Sequence, residues 1–170
     1  LMINPRGMIV VCEMDGQIVT FSPDGSKRTV LVPTYEGKRF NAQNDLVLDK
    51  SGGIYFTDPA FRAPMPLPQG KTAVYYAAAD GTVTRLIDDL LNPNGVILSP
   101  DEKTLYVIPS GQKQMMAYPV QAPGKLGAGK VFCELDQAKP GENRGGDGLT
   151  VDEKGNLYIT SGLGLQVFDP

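Results

Sequence analysis

Histidine is absent from this chain of 170 residues. Its absence removes Ser-His-Asp and Cys-His catalysis, a histidine general base and the usual zinc sites. The chain has two cysteines, Cys12 and Cys133, and no CxxC pair. That count excludes a tetrahedral thiolate zinc site and favours two buried thiols over a disulfide. Hydrolytic chemistry would therefore have to use carboxylates, amides, lysine, tyrosine or a hard cation.

Long apolar runs and blocks of one charge are also missing. No stretch approaches the roughly 18 apolar residues of a membrane span, and the start LMINPRGMIVVCEM lacks the pattern of a signal peptide. The 16 basic and 19 acidic residues are mixed along the chain, which argues against a nucleic-acid partner. We expect a soluble protein without membrane or nucleic-acid partners. Its compartment, whether cytoplasmic, periplasmic or secreted, stays open.

Turn residues are abundant, with 20 glycines and 14 prolines. Asp-Gly pairs recur at Asp15-Gly16, Asp24-Gly25 and Asp80-Gly81. Short segments of alternating polarity lie between the turns, and no long segment keeps a helical period. The hydrophobic content of 41% is enough for a core. The sequence therefore predicts an all-β fold.

Three segments of the chain repeat one pattern. They are NDLVLDKSGGIYFTDP from Asn44, NGVILSPDEKTLYVIPS from Asn94 and DGLTVDEKGNLYITSG from Asp147, at spacings of 50 and 53 residues. Each continues through a turn into a strand with a tyrosine, and these tyrosines are Tyr55, Tyr106 and Tyr158. A third strand follows in each unit and a fourth in two of them. Four strands about every 50 residues are typical of the blades of a β-propeller.

The polar residue that opens each repeat is the main functional signal. A blade begins with its innermost strand, so Asn44, Asn94 and Asp147 should converge at one mouth of the central channel. Asn and Asp also start strands and turns for purely structural reasons, because their side chains bond nearby backbone N–H groups. Their recurrence at three matched positions favours a ring of oxygen-bearing side chains.

The repeats divide the chain into about three and a half four-stranded antiparallel blades. The predicted boundaries are a partial blade at 1–33, blades at 44–90 and 94–135, and a partial blade at 147–170. Residues 7–32 match strands two to four, so we expect the innermost strand of that blade to lie before residue 1. A closed propeller needs at least four blades. We expect a fragment of a longer protein, or self-association of two chains through exposed blade faces and edges.

The motifs GKRFNAQNDLVLDKSGGIYFTDP, LNPNGVILSPDEKTLYV and GGDGLTVDEKGNLYIT together resemble the regucalcin/gluconolactonase family of six-bladed propeller lactonases. The resemblance covers essentially the whole chain in matching order. It implies a divalent cation, usually Ca²⁺, at the channel mouth, where Zn²⁺, Mn²⁺ or Mg²⁺ could also bind. It also implies a small-molecule lactone as substrate.

The resemblance assigns roles to individual residues. Asn94 and Asp147 match the family's metal ligands, and Asn44 lies beside the metal, where it contacts substrate or a metal-bound water. Arg39 and Asn41 are the candidates for substrate binding. The family's glutamate ligand has no counterpart here, and Glu13 is predicted to lie on the wrong strand to replace it.

The implied chemistry suits a chain without histidine. Ca²⁺ takes 6–8 oxygen ligands, including carboxylates and amide carbonyls, and a bound cation can polarise a lactone carbonyl. Asp147 could serve both as ligand and as general base for the attacking water. The alternatives are a non-catalytic binding or scaffold propeller and a related hydrolase of another ester or of an organophosphate.

Two further features have predicted roles outside the ring. Asp58, in FTDP, is expected to tie the end of its strand to the following loop, with a metal or substrate role as the alternative. The Pro-rich loop at 59–70 is either a lid over the mouth or a linker.

Overall fold

The chain is an all-β partial propeller in a computed structural model that describes residues 1–170. Its strands form four antiparallel sheets in chain order, which confirms the predicted fold class. No helical segment of the chain has the length and apolar character needed to cross a bilayer.

The first sheet contains four strands, β1 (Met2–Ile3), β2 (Ile9–Glu13), β3 (Gln17–Phe21) and β4 (Arg28–Val32). Met2 pairs with Val10 and Ile3 with Ile9. The expectation that the innermost strand lies before residue 1 is therefore wrong. A strand of two residues is too short to produce an alternating pattern, so periodicity could not reveal it.

The second sheet is built from β5 (Leu46–Leu48), β6 (Ile54–Asp58), β7 (Ala73–Ala77) and β8 (Val83–Ile87). Every residue of β6 and β7 is buried. Because both faces of these middle strands are covered by neighbouring sheets, their sequences IYFTD and AVYYA are rich in apolar side chains on both faces.

The third sheet carries an addition to the four-strand pattern. Its strands are β9 (Pro93–Leu98), β10 (Thr104–Pro109), β11 (Gln114–Ala122), β12 (Lys125–Leu126) and β13 (Lys130–Glu134). The long β11 pairs with β13 through its first half and with β12 through its second half. The second pairing makes a projecting hairpin that the sequence reading did not anticipate.

The fourth sheet has three strands, β14 (Leu149–Val151), β15 (Leu157–Ser161) and β16 (Gly164–Phe168). On β16, Leu165 is 61% exposed and Val167 is 54% exposed. Self-association through such faces stays a prediction.

Apolar side chains between neighbouring sheets form the core. One cluster joins the first and second sheets through residues such as Ile18 and Phe56. A second joins the second and third sheets, and a third joins the third and fourth sheets around Ile108 and Ile159. Burial of this surface drives the packing of sheet on sheet. Cys12 and Cys133 are free thiols, as predicted, but both are half-buried where full burial was expected. Burial raises the pKa of Cys133 to about 11.

The first strands of the sheets lie side by side, since β1 contacts β5, β5 contacts β9 and β9 contacts β14. Asn44 and Asp147 precede β5 and β14 by two residues, and Asn94 is the second residue of β9. We call the edge at which these three residues lie the mouth.

Candidate metal and substrate site

Asn94 and Asp147 are in direct contact at the mouth, although they are 53 positions apart. Nδ2 of Asn94 donates to Oδ1 of Asp147 at 3.0 Å and to Oγ of Ser110 at 2.9 Å. The Ser110 hydroxyl in turn donates to the carbonyl of Gly146, next to Asp147. The two residues predicted from matched repeat positions therefore form one polar group between the third and fourth sheets.

The Asn94 amide leaves one atom without a partner. Both protons of Nδ2 are used by Asp147 and Ser110, which fixes the orientation of the amide. Oδ1 of Asn94 is buried and accepts no hydrogen bond. A buried unpaired acceptor costs about 1–3 kcal/mol unless a ligand, ion or water satisfies it. The Asn94 oxygen is therefore an acceptor in need of a partner.

Gly95 allows the third and fourth sheets to approach each other closely at the mouth. A Cβ at this position would lie 2.8 Å from the carbonyl oxygen of Asp147 and 2.7 Å from Cδ2 of Leu149. Both distances are shorter than real Cβ contacts allow. The glycine of the N-G motif thus keeps Asn94 within reach of Asp147.

Asp45 is a second carboxylate at the mouth, and the sequence reading gave it no role. Its Oδ2 accepts from the backbone N–H of Val96 at 3.1 Å, and its Oδ1 accepts from that of Leu46 at 2.9 Å. Burial raises the pKa of Asp45, and the negative charge of Asp147 also contributes to raising it. The signal was available, because Asp45 follows Asn44 directly in the N-D motif.

The three other predicted site residues have different surroundings. Asn44 is exposed, and its amide makes no hydrogen bond within the chain, so it is free to contact a ligand. The Arg39 guanidinium donates to the carbonyls of Phe40 and Asn41 and lies against Gly16 of the first sheet.

Asn41 is fully buried. Its Nδ2 donates to the carbonyl of Lys71 at 2.9 Å, and its Oδ1 accepts from the N–H of Gln69 at 3.1 Å. These contacts favour a role in holding the loop at 59–70 to the residues before β5. Substrate binding by Asn41 stays a prediction.

Asp58 anchors the chain just before β5. Its two carboxylate oxygens accept from the backbone N–H groups of Asn41 at 3.0 Å and Ala42 at 2.9 Å. Burial raises the pKa of Asp58 from 3.8 to about 6, against the lowering effect of these donors and of the Arg39 and Arg85 charges. The expected tie is thus to the preceding loop and not to the following one.

Gln43 is a further polar residue that sequence reasoning missed. Its side chain is 1% exposed, and neither Oε1 nor Nε2 has a hydrogen-bond partner. With Asn94 Oδ1, these are the buried side-chain polar atoms of the chain that lack partners. Gln43 is next to Asn44, just before β5, and Asn94 is near the start of β9.

The donor set at the mouth fits a hard cation and does not fit a soft one. The available oxygens are the amide oxygen of Asn94 and the carboxylate of Asp147, with Asn44 just before the neighbouring strand β5. Oxygen donors of this kind suit Ca²⁺, Mg²⁺ or Mn²⁺. No group of three or more His, Cys, Asp or Glu side chains in the chain is arranged to hold a metal ion, so these residues would supply part of a coordination sphere.

Known proteins resemble this chain over its full length. The family model described as SMP-30/Gluconolactonase/LRE-like region matches residues 1–170. A gluconolactonase from Zymomonas mobilis is 31% identical over 186 residues, covering 99% of this chain and 50% of that protein. The solved structure of a gluconolactonase from Xanthomonas campestris has a TM-score of 0.85 and 34% identity, covering 98% of this chain and 57% of that chain.

A calcium-binding protein, regucalcin, from Agrobacterium tumefaciens shares the fold. Its structure has a TM-score of 0.69 and 23% identity and covers 95% of this chain and 53% of that chain. The chain thus spans about half the length of the relatives it matches. Its match to the family model over all 170 residues confirms the resemblance read from the three motifs, and the chain belongs to the SMP-30/gluconolactonase/LRE-like family.

Proposed function

We propose that this chain contributes the Asn94–Asp147 part of a site for divalent-cation-assisted hydrolysis of a lactone. The observation that carries the proposal is the contact between these two residues across two sheets, which leaves the Asn94 amide oxygen buried and unpaired. A purely structural pair would have its polar atoms satisfied. Asn94 Oδ1 and the Asp147 carboxylate would hold the cation, and Ca²⁺ is the ion that we propose first.

A bound divalent cation would polarise the lactone carbonyl and favour ionisation of a water molecule. Asp147 is the proposed general base. One of its oxygens accepts from Asn94, and its exposed carboxylate can accept a proton from water, a role that histidine cannot fill in this chain. Asn94, whose amide is itself held by Ser110, would orient the carboxylate during this transfer.

Asn44 and Arg39 are the proposed substrate contacts. Asn44 presents an unbonded amide next to Asp45, whose carboxylate reaches β9. An amide can both donate to and accept from the hydroxyl groups of a sugar lactone. Arg39 would add a cationic donor from the loop before β5.

Gluconolactone is the substrate to test first, because relatives that are 31% and 34% identical are named gluconolactonases. The test is a pH-stat assay of gluconolactone hydrolysis by this chain with added Ca²⁺ and then with excess chelator. With Ca²⁺ we expect hydrolysis faster than the spontaneous rate, and with excess chelator we expect the rate to return to the spontaneous one. Hydrolysis that persists in chelator would overturn the cation's role.

A calorimetric titration separates the remaining outcomes. Ca²⁺ binding without hydrolysis of any lactone would favour a binding propeller. Neither binding nor hydrolysis would overturn the proposal for this chain.

A further inference from the structure

The Thr57 hydroxyl connects the second sheet to Asn94. Thr57 lies on β6 and is fully buried. Its Oγ1 accepts from the backbone N–H of Asp45 at 3.0 Å and donates to the backbone carbonyl of Asn94 at 2.7 Å. The carbonyl of Asp45 is 3.5 Å from the same hydroxyl. Because a hydroxyl has one proton, the shorter contact to Asn94 identifies the acceptor.

The hydroxyl acts where β9 has no strand partner. β9 is the last strand of its sheet, so one of its edges is not paired with another strand. Thr57 bonds the Asn94 carbonyl, and the Asp45 carboxylate bonds the Val96 N–H, two residues further on. Groups two residues apart in a strand lie on the same side. Side chains of the second sheet thus fix this edge of β9.

Asn94 is consequently held from three sheets. Its main chain is held by Thr57 of the second sheet, and its amide nitrogen by Ser110 of the third sheet and Asp147 at the start of the fourth. The unpaired Oδ1 is the remaining polar atom of the side chain. Moving the Asn94 backbone would move this oxygen relative to Asp147.

The repeat shows that a blade does not need a hydroxyl at this position. The residue two places after the matched tyrosine of the second strand is Thr57 in the second sheet, Ile108 in the third and Thr160 in the fourth. Ile108 is buried in an apolar cluster. The Thr160 hydroxyl bonds only the backbone of Gly148, next to β14 of its own sheet. Thr57 is the member of this set whose hydroxyl reaches a candidate ligand of the mouth.

We infer that Thr57 is a positioning residue that sets the affinity of the mouth for a divalent cation by fixing the Asn94 backbone. This inference rests on the proposed function, because it takes Asn94 Oδ1 as a cation ligand. Thr57 touches neither the cation nor the substrate in this scheme. Side chains that orient metal ligands typically change affinity by about 10- to 100-fold when removed.

The test compares Thr57→Val, which removes the hydroxyl at nearly constant shape, with Thr57→Ser, which keeps it. Ca²⁺ affinity is measured by calorimetry, and we expect a loss of about 10-fold for valine and little change for serine. The matched control is Thr72→Val, which also removes a hydroxyl bonded to a backbone carbonyl, that of Leu90. We expect this control to bind Ca²⁺ like the unmodified chain.

A second readout does not depend on the cation. In the calcium-free protein, the side-chain amide protons of Asn94 are followed by NMR, and we expect Thr57→Val to shift them and to speed their exchange with solvent. Unchanged signals in Thr57→Val would overturn the inference, as would changed signals with unchanged Ca²⁺ affinity. If Thr57→Val does not fold, Thr57→Ala removes the same hydroxyl without added bulk.

Failure of the proposed function is recognised separately. If the unmodified chain does not bind Ca²⁺, the proposed cation site is wrong, and the inferred effect on affinity falls with it. The NMR comparison then still decides whether Thr57 positions Asn94.

Discussion

Asn41 and Asn44 are three positions apart in one segment and have opposite surroundings. Asn41 is buried, and its amide is bonded to the backbone at residues 69 and 71. Asn44 is exposed, and its amide is unbonded. Asp58 and Asp147 differ in a similar way, because Asp58 accepts two backbone N–H groups in the interior whereas Asp147 is exposed and contacts one amide.

The difference separates residues that build the mouth from residues that can act at it. A side chain whose polar atoms are all used by the backbone contributes to the fold. A side chain with an unpaired polar atom at the mouth has that atom available for a ligand. Asn41 and Asp58 form the first group, and Asn44, Asn94 and Asp147 form the second. Four changes test this division.

The largest effect is expected from Asp147→Asn. This change removes the proposed base at nearly constant shape, so calcium-dependent lactone hydrolysis should fall by about 10²–10⁴-fold. The free energy of unfolding should change by less than about 0.5 kcal/mol, because Asp147 is exposed. Initial rates in the pH-stat and urea unfolding measure the two quantities. Asp101→Asn, in an exposed turn, is the control. Full activity of Asp147→Asn would mean that Asp147 is not the base and contributes only to the structure.

The next effect is the loss of stability in Asn41→Ala. This change leaves the buried N–H of Gln69 and the partly buried carbonyl of Lys71 without their partners, and a buried group without a partner costs about 1–3 kcal/mol. We expect the free energy of unfolding to fall by about 3 kcal/mol in urea. Asn44→Ala is the matched control and should stay within about 0.5 kcal/mol. Equal losses in the two variants would remove the distinction between them.

The third effect is a pH dependence that originates at Asp58. Its pKa of about 6 in the folded chain lies above its ordinary value of 3.8. Between these values the folded state binds more protons than the unfolded state, so stability contributed by this group falls as pH rises from about 4 to 6. A shift of this size corresponds to about 3 kcal/mol.

Asp58→Asn should remove that part of the pH dependence. Urea unfolding at pH 4 and at pH 7 gives the change in the free energy of unfolding for each protein. Subtracting one change from the other cancels the contribution of the other carboxylates. A wild-type pH profile that Asp58→Asn leaves unaltered would mean that Asp58 titrates normally.

The smallest effect is expected from Gly95→Ala. Gly95 lies where the third and fourth sheets meet, next to Asn94 and facing the backbone of Asp147. The added methyl would press on the Asp147 carbonyl and on Leu149, and overpacking of this kind costs about 1–3 kcal/mol. We expect a loss of about 2 kcal/mol, because the Leu149 side chain can move but the backbone carbonyl of Asp147 must also shift. Gly162→Ala, with no atom within 4 Å of the added methyl, should unfold like the unmodified chain in urea.

The repeat made the propeller and the Asn94–Asp147 contact predictable. Matched positions in consecutive blades must lie near each other at the same edge, whatever their separation in sequence. The sequence could not distinguish Asn41 from Asn44, because both occur in one irregular segment where no periodicity shows which side chain points inward. The roles of Asp45 and Thr57 depend on bonds between sheets, which follow from how two blades are placed and not from either blade alone.

The hairpin of β11 and β12 escaped prediction for a similar reason, although its tip carries a turn signal in Ala122-Pro123-Gly124. Gly124 has a φ of 70°, which favours glycine, and its N–H donates to the hydroxyl of Tyr55 in the second sheet at 3.0 Å. Tyr55 lies near the start of β6, whereas Thr57 and Asp58 lie near its end at the mouth.

Because of this hairpin, hydrogen bonds join the second and third blades at both ends. Thr57 and Asp45 make these bonds at the mouth, and Gly124 makes one at the opposite end. Bonds at both ends oppose rotation of one blade relative to the other. The length of the hairpin therefore affects the mouth from a distance. Adding or removing a residue at its tip would change the angle between the two blades and, with it, the spacing of the donor atoms at the mouth.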